Sequence, residues 1–120
     1  MGSLLLVDDA AYMRRRIRIM AKKGGHEVIG EAETGEQAIE LFSSLSPDLV
    51  ILDILMPDMN GLAVLKQIKE INPDARVIMC TASEQSHHVQ EALASGASGY
   101  IVKPFTQDGL NEKINTALAA

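Results

Sequence analysis

Residues 49–53 read Leu49-Val50-Ile51-Leu52-Asp53, four consecutive apolar residues followed by a carboxylate. Three other short apolar runs also end in polar residues. They are 4–7 before Asp8-Asp9, 77–80 before Thr81, and 100–102 before Lys103-Pro104. A short run that is apolar throughout is typical of a strand buried on both faces of a parallel sheet. The four runs therefore predict an α/β protein with a central parallel sheet.

Helical periodicity fills the segments between the predicted strands. Leu110, Ile114 and Leu118, for example, recur at four-residue steps. The predicted strands cover 3–8, 27–31, 48–53, 76–81 and 99–102, and the predicted helices cover 10–24, 35–45, 61–71, 85–95 and 106–118. Glu27 and Glu31 predict an edge position for the second strand. Five strand-helix units in succession imply right-handed crossovers, with helices on both faces of the sheet.

Composition limits the function classes. The chain has 120 residues, which suits one domain spanning 1–120. Its formal net charge of −5 argues against a nucleic-acid partner, which would favour a basic surface. No apolar run approaches the ~18 residues of a membrane span, and the first residues do not resemble a signal peptide. Cys80 is the single cysteine, so we expect no internal disulfide and a cytoplasmic location.

The polar residues that follow the strands are the candidate site. They are Asp8, Asp9, Asp53, Thr81 and Lys103. Carboxyl ends of parallel strands share the edge where open α/β sheets bind ligands, so these side chains should converge. Two carboxylates ~4 Å apart repel by about 4 kcal/mol at an effective dielectric constant of 20, and a proton or a cation relieves this. Oxygen ligands suit Mg²⁺, and an accessible carboxylate can attack phosphorus.

Each candidate also has a simpler interpretation. Asp8 and Asp9 could serve only as turn and helix-capping residues. Lys103 could be a surface lysine rather than the partner of a carboxylate or a phosphoryl oxygen. Thr81 could cap a loop, and Tyr100 could pack in the core.

Two other polar clusters are interpreted as surface features. The arginines within 14–18 are predicted to form a solvated helix face. His87 and His88 are adjacent, so on a helix their side chains point about 100° apart and cannot chelate a metal as an i, i+4 pair would. We therefore expect both histidines at the surface.

Together, the motifs resemble the signature of response-regulator receiver domains, over essentially the whole chain. They are Leu-Val-Asp8-Asp9, Asp53 with Met56-Pro57 and Gly61, Thr81-Ala82, and Lys103-Pro104-Phe105. The segment 10–14 is most similar to the chemotaxis members of that family. The resemblance implies a receiver domain over 1–120, with the flavodoxin-like (βα)5 doubly wound fold and the strand order 2-1-3-4-5 known for it.

The resemblance also implies a phospho-accepting switch of a two-component system. Asp53 would accept a phosphoryl group from a sensor histidine kinase similar to the chemotaxis kinase CheA. Asp8, Asp9, Asp53 and the backbone carbonyl of Leu55 would bind Mg²⁺, with Asp8 acting directly or through water. Lys103 would pair with the phosphoryl group and Thr81 would hydrogen-bond to it.

The signal would then reach a distant face. Tyr100 would move inward when Thr81 is drawn toward the phosphate, and the Lys103–Pro104 peptide bond is expected to be cis. The output face would comprise the fourth helix, the fifth strand and the fifth helix, and would bind a protein such as a flagellar switch component. The chain would be a monomer that assists its own phosphotransfer and dephosphorylation rather than an enzyme with a separate substrate.

Two alternatives stay open. The chain could be the receiver module of a longer regulator such as a transcription factor, although the sequence contains no DNA-binding segment after the fifth helix. It could also be an aspartate-nucleophile phosphatase, but those enzymes carry a second acid two residues after the nucleophile, where this chain has Leu55. A nucleotide-binding enzyme is disfavoured because no glycine-rich phosphate loop follows the first strand.

Overall fold

The computed structural model describes residues 2–56, 58–82 and 87–119. The strands are β1 (Ser3–Val7), β2 (Glu27–Ala32), β3 (Leu49–Asp53), β4 (Val77–Thr81) and β5 (Gly99–Val102). The helices are α1 (Ala11–Lys23), α2 (Gly35–Leu45), α3 (Gly61–Ile71), α4 (His87–Ala94) and α5 (Gln107–Ala119). The predicted bounds agree closely, except that the predicted start of the fourth helix lies outside the described residues.

The five strands form one parallel sheet in the order β2-β1-β3-β4-β5. Leu4–Val7 pair with Leu49–Leu52, and Val50–Asp53 pair with Val77–Cys80. The flavodoxin-like fold is therefore confirmed. The predicted edge position of β2 is confirmed as well, and its residues are mostly only half-buried. The register leaves the residues after β1, β3, β4 and β5 at one edge of the sheet.

Alternate residues of the central strands build two apolar layers. Leu5 and Val7 of β1 face α2 and α3, where Phe42 and Leu65 belong to the same buried cluster. The opposite face of the sheet packs on α1 and α5 through a second cluster, which contains Leu4, Leu6, Ile17, Ala21, Leu110 and Ile114. Each fully buried large side chain contributes about 1.5–3 kcal/mol, so these two layers stabilise the sheet.

Within the described ranges, no helix combines the length and the apolar character that a membrane span requires.

A buried histidine joins the start of the chain to α5. His26 is 4% exposed, and its Nδ1 accepts a hydrogen bond from the backbone N–H of Gly2 at 3.1 Å. Its Nε2 lies 3.0 Å from Oδ1 of Asn115. These partners assign the neutral imidazole with its proton on Nε2. Burial lowers the pKa of His26, and the bond to Asn115 only partly offsets that effect.

This histidine should make folding stability depend on pH. Because the pKa of His26 is lower in the folded protein, the unfolded chain takes up the proton first as the pH falls below its ordinary value of about 6.5. The contribution of His26 to the free energy of unfolding is therefore complete above that pH and is lost as the pH falls through the pKa of His26 in the folded protein. Denaturant titrations between about pH 8 and pH 5 measure this slope. His26→Gln should reduce it, whereas the exposed control His87→Gln should not; equal slopes for His26→Gln and the unmodified chain would contradict the assignment.

Candidate functional site

Three carboxylates lie together at the carboxyl edge of the sheet. Asp8 and Asp9 follow β1, and Asp53 ends β3. Each of the three offers an oxygen atom within 4.8 Å of those of the other two. Asp8 is buried, Asp53 is half-buried and Asp9 is exposed, so the cluster opens to solvent on one side. The structure thus brings together the three acids that the sequence singled out.

Lys103 places a positive charge among these acids. Its Nζ lies 3.1 Å from Oδ2 of Asp8 and 3.4 Å from Oδ1 of Asp53. Its backbone N–H donates to the carbonyl of Thr81 at 2.8 Å, which fixes the end of β5 beside β4. The sequence suggested pairing with Asp53, and the shorter contact with Asp8 adds to that expectation. The Lys103–Pro104 peptide bond is cis, the isomer that the family resemblance implies.

The charges perturb one another. Burial raises the pKa of Asp53, the charge of Asp8 raises it further, and Lys103 opposes the shift. Burial alone would lower the pKa of Lys103, but the charges of Asp53 and Asp8 outweigh it and raise the value. One ammonium thus pairs with two of the three clustered carboxylates, which leaves an excess of negative charge that a bound divalent cation would relieve.

Asp8 makes the turn contact that the simpler interpretation predicted, and it also binds Lys103. Its role as a metal ligand stays a prediction. Its Oδ1 accepts a hydrogen bond from the backbone N–H of Ala10 at 2.9 Å, a turn contact that leads into α1. Its other oxygen binds Lys103. Arg14 donates to the backbone carbonyl of Asp8 at 2.6 Å. The capping alternative is wrong for the start of α1, where Ala10 is the N-cap residue and no side chain caps the helix.

Gly61 explains part of the motif that follows Asp53. Its backbone N–H donates to the carbonyl of Ile54 at 2.7 Å. A Cβ atom on Gly61 would lie only 2.3 Å from the carbonyl oxygen of Asp53. Asn60 caps α3, because its Oδ1 accepts from the N–H of Leu62 at 2.7 Å. The glycine therefore lets α3 begin in direct contact with the peptide of Asp53.

An open cleft of about 450 Å³ lies over Asp53. Its walls include Asp53, Leu55, Thr81, Ala82, His88 and Lys103. The leucine is 67% exposed and Thr81 is buried. The backbone carbonyl of Leu55 stays a predicted metal ligand. The backbone N–H of Leu55 donates a hydrogen bond to the Asp53 carboxylate and lowers the pKa of Asp53, but the opposite effect of burial is larger.

The surface assignment of the two histidines was wrong for His88. His87 is exposed, but His88 is half-buried and lines the cleft. The two rings lie 4.3 Å apart between centroids. Adjacent residues on a helix do face different directions, as expected, and the first turn of α4 directs one of the pair toward the site. The sequence shows the angle between them but not which one faces the sheet edge.

The solvated-face interpretation of the arginines is wrong for Arg14, whose side chain is only 13% exposed, whereas Arg18 is paired but stays exposed. Nε of Arg14 and Nε of Arg18 each lie 3.0 Å from a different oxygen of Glu31 on the edge strand. Burial alone would raise the pKa of Glu31, but the two arginines outweigh it and lower the value. Arg15 and Arg16 are exposed, as expected. Half of the basic cluster therefore ties α1 to β2.

Two further residues lie on β4 and β5. Cys80 is buried in the core, and burial raises its pKa to about 12, so it is a packing residue. Tyr100 is half-buried against the core, with Nζ of Lys113 at 5.6 Å from its ring centroid. Its role as a switch stays a prediction, because this structure shows one position of the ring.

A carboxylate cluster with a lysine, at the carboxyl edge of a sheet ordered 2-1-3-4-5, defines a receiver domain. The family model of the response regulator receiver domain matches residues 4–115, and the chain belongs to that family. The chemotaxis protein CheY of Bacillus subtilis is 50% identical over 115 residues, which cover 96% of each chain. CheY of Thermotoga maritima is 45% identical over 112 residues, which cover 93% of each chain.

A solved structure shows the same likeness. The CheX-CheY-BeF3-Mg+2 complex of Borrelia burgdorferi contains a chain that is 32% identical to this one, with a TM-score of 0.89. The match covers 93% of this chain and 85% of that chain. The protein is therefore a receiver domain closely related to CheY.

Proposed function

We propose that the chain is a phospho-accepting switch in which Asp53 takes a phosphoryl group from the phosphohistidine of a sensor histidine kinase. The observation that supports this most directly is the convergence of three carboxylates and one ammonium group at an open cleft. Membership of the receiver family favours the same function. The CheY relatives favour a role in chemotaxis. For that role we propose a kinase of the chemotaxis type and a downstream partner such as a flagellar switch component.

The donor set at the cluster fits Mg²⁺. Asp8, Asp9 and Asp53 offer carboxylate oxygens within 4.8 Å of one another. Mg²⁺ prefers oxygen ligands and keeps several of its waters, so a few protein ligands on an open edge are sufficient. The carbonyl of Leu55 is the further ligand that family membership suggests. A bound Mg²⁺ would neutralise negative charge on the acceptor and on the incoming phosphoryl group.

The chain's own residues would then position the transfer. A carboxylate oxygen of Asp53 attacks phosphorus, the phosphorus–nitrogen bond of the phosphohistidine breaks, and its electron pair stays on the donor imidazole. Lys103, held by Asp8, stabilises the charge on the phosphoryl oxygens, and the hydroxyl of Thr81 donates a hydrogen bond to one of them. Such transfers depend mainly on positioning and electrostatic stabilisation.

The protein would act as a signal carrier rather than as an enzyme with a separate substrate. Hydrolysis of phospho-Asp53 returns the carboxylate and releases phosphate, which resets the switch. A phosphatase function is disfavoured because the residue two positions after Asp53 is Leu55, whose side chain can neither donate nor accept a proton.

The direct test is incubation with acetyl phosphate and Mg²⁺, followed by intact mass measurement. We expect one phosphate per chain, and none when EDTA removes the metal. A chain that gains no phosphate from either acetyl phosphate or a phosphorylated histidine kinase would contradict the proposed function.

Thr81→Ala is expected to separate phosphorylation from its distant effect. The hydroxyl does not react, so the variant should still accept phosphate at Asp53. A shift from 1:99 to 99:1 between two states requires about 5.5 kcal/mol, and a charge-assisted hydrogen bond supplies roughly 1.5–3 kcal/mol of it. The measurement is the amide chemical-shift change across residues 87–119 on addition of a phosphate mimic.

Thr81→Ala should show a clearly smaller chemical-shift change across residues 87–119 than the unmodified chain. Thr34→Ala, a substitution at the start of α2, is the control and should respond like the unmodified chain. A full response in Thr81→Ala would rule out Thr81 as the residue that couples the two regions.

A further inference from the structure

Asp58 binds the first turn of α2, although it precedes a different helix in the chain. Its Oδ1 and Oδ2 lie 3.0 and 3.1 Å from the backbone N–H of Gly35, and Oδ2 also lies 3.5 Å from that of Glu36. The first N–H groups of a helix have no partner within the helix, and they favour a negative charge. Asp58 therefore supplies the start of α2 with a carboxylate from outside the helix.

The helix already has a cap of its own. Thr34 is its N-cap residue, and the hydroxyl oxygen accepts from the N–H of Gln37 at 3.1 Å. Asp58 thus satisfies donors that Thr34 leaves unpaired. The two residues differ in what they connect, because the bond of Thr34 stays inside α2 whereas that of Asp58 joins α2 to the start of α3.

The start of α3 touches the peptide of the acceptor. Asp58 is followed by Met59, Asn60 and Gly61, and the glycine packs directly on the Asp53 carbonyl. A Cβ atom on Gly35 would lie 2.9 Å from Cβ of Met59, so the two helix starts are also in close contact. A continuous set of short contacts therefore runs from the start of α2, through Asp58 and Gly61, to Asp53.

We propose that Asp58 is a positioning residue for the acceptor site. By holding the start of α3 against α2, it keeps the Asp53 peptide in place, so that the carboxylate stays beside Asp8 and Asp9. The inference rests on the proposed function, because binding of Mg²⁺ to that cluster is one measure of its geometry. Local backbone opening is a second measure, which does not need the metal.

The test is Asp58→Ala in the full chain, with MgCl₂ as the probe. Mg²⁺ affinity, from a calorimetric or chemical-shift titration, should fall by up to about tenfold, the upper bound set when the stability lost with a typical helix cap is felt in full at the metal site. Amide hydrogen exchange should become faster at Gly35 and also at Gly61. Asp58→Asn keeps a side-chain oxygen that can accept a hydrogen bond, so it should restore most of both properties and is the fallback if the alanine variant does not fold.

Thr34→Ala is the matched control at the same helix end. It should speed exchange within α2 but leave Mg²⁺ affinity and exchange at Gly61 unchanged. The proposal is overturned if Asp58→Ala changes neither the Mg²⁺ affinity nor the rate of amide exchange at Gly61. If the unmodified chain does not bind Mg²⁺, the proposed metal site fails, and exchange at Gly61 alone then decides whether Asp58 positions the acceptor peptide.

Discussion

Asp53→Asn is expected to abolish the incorporation of phosphate from acetyl phosphate. Asparagine has the size of aspartate but no anionic oxygen to attack phosphorus. The neighbouring acids should not replace it. Asp8 is buried, with one oxygen bonded to the N–H of Ala10 and the other to Lys103. Asp9 is exposed, and we expect it to serve as a metal ligand. Intact mass should therefore show one added phosphate on the unmodified chain and none on the variant.

The variant should remain folded, so the loss can be assigned to chemistry. Because burial raises the pKa of Asp53 in the folded protein, this group favours folding at acidic pH, and the benefit is lost as the pH rises through the folded pKa. At neutral pH, Asp53→Asn removes an unfavourable buried charge, so the substitution should not destabilise the fold. Asp74→Asn, an exposed acid in the turn before β4, is the control and should accept phosphate normally. Equal labelling of Asp53→Asn would place the acceptor on another residue.

The polar ends of the apolar runs predicted where the site would form. The run 49–52 must be buried on both faces, which makes it a central strand, and parallel neighbours bring their carboxyl ends to the same edge. The placement of Asp8, Asp53 and Lys103 at one edge of the sheet follows from the parallel arrangement alone. The strand order does not, because it depends on how the helices pack on the two faces; it came from the resemblance to a known family.

Contacts between distant parts of the chain could not be predicted in this way. His26 binds Gly2 and Asn115, and Asp58 binds the start of α2, but neither contact produces a periodic pattern in the sequence. The orientation of His88 toward the cleft depends on how α4 is rotated against the sheet. Each of these is decided by the packing of finished elements, which is a property of the three-dimensional arrangement.

Lys103→Met is expected to cause a large loss of stability. Methionine keeps an unbranched apolar stem but removes the charge that faces Asp8 and Asp53. Breaking a buried ion pair costs about 3–5 kcal/mol, because the remaining charge is left without compensation. The lysine side chain is 23% exposed, and screening by solvent lowers the expected loss to about 2–3 kcal/mol at neutral pH. Urea unfolding measures it.

Three comparisons show whether the loss comes from the uncompensated carboxylates. Mg²⁺ should restore part of the stability, because it would supply positive charge at the same place. Asp8→Asn combined with Lys103→Met should cost less than the sum of the single substitutions, since it removes one of the charges left unpaired. Lys66→Met breaks an exposed pair with Glu91 at 3.6 Å and should cost no more than about 1 kcal/mol. If Lys103→Met costs as little as this control, and Mg²⁺ has no effect on it, then the carboxylates do not depend on the lysine for compensation and its position beside Asp53 serves only the phosphorylated state.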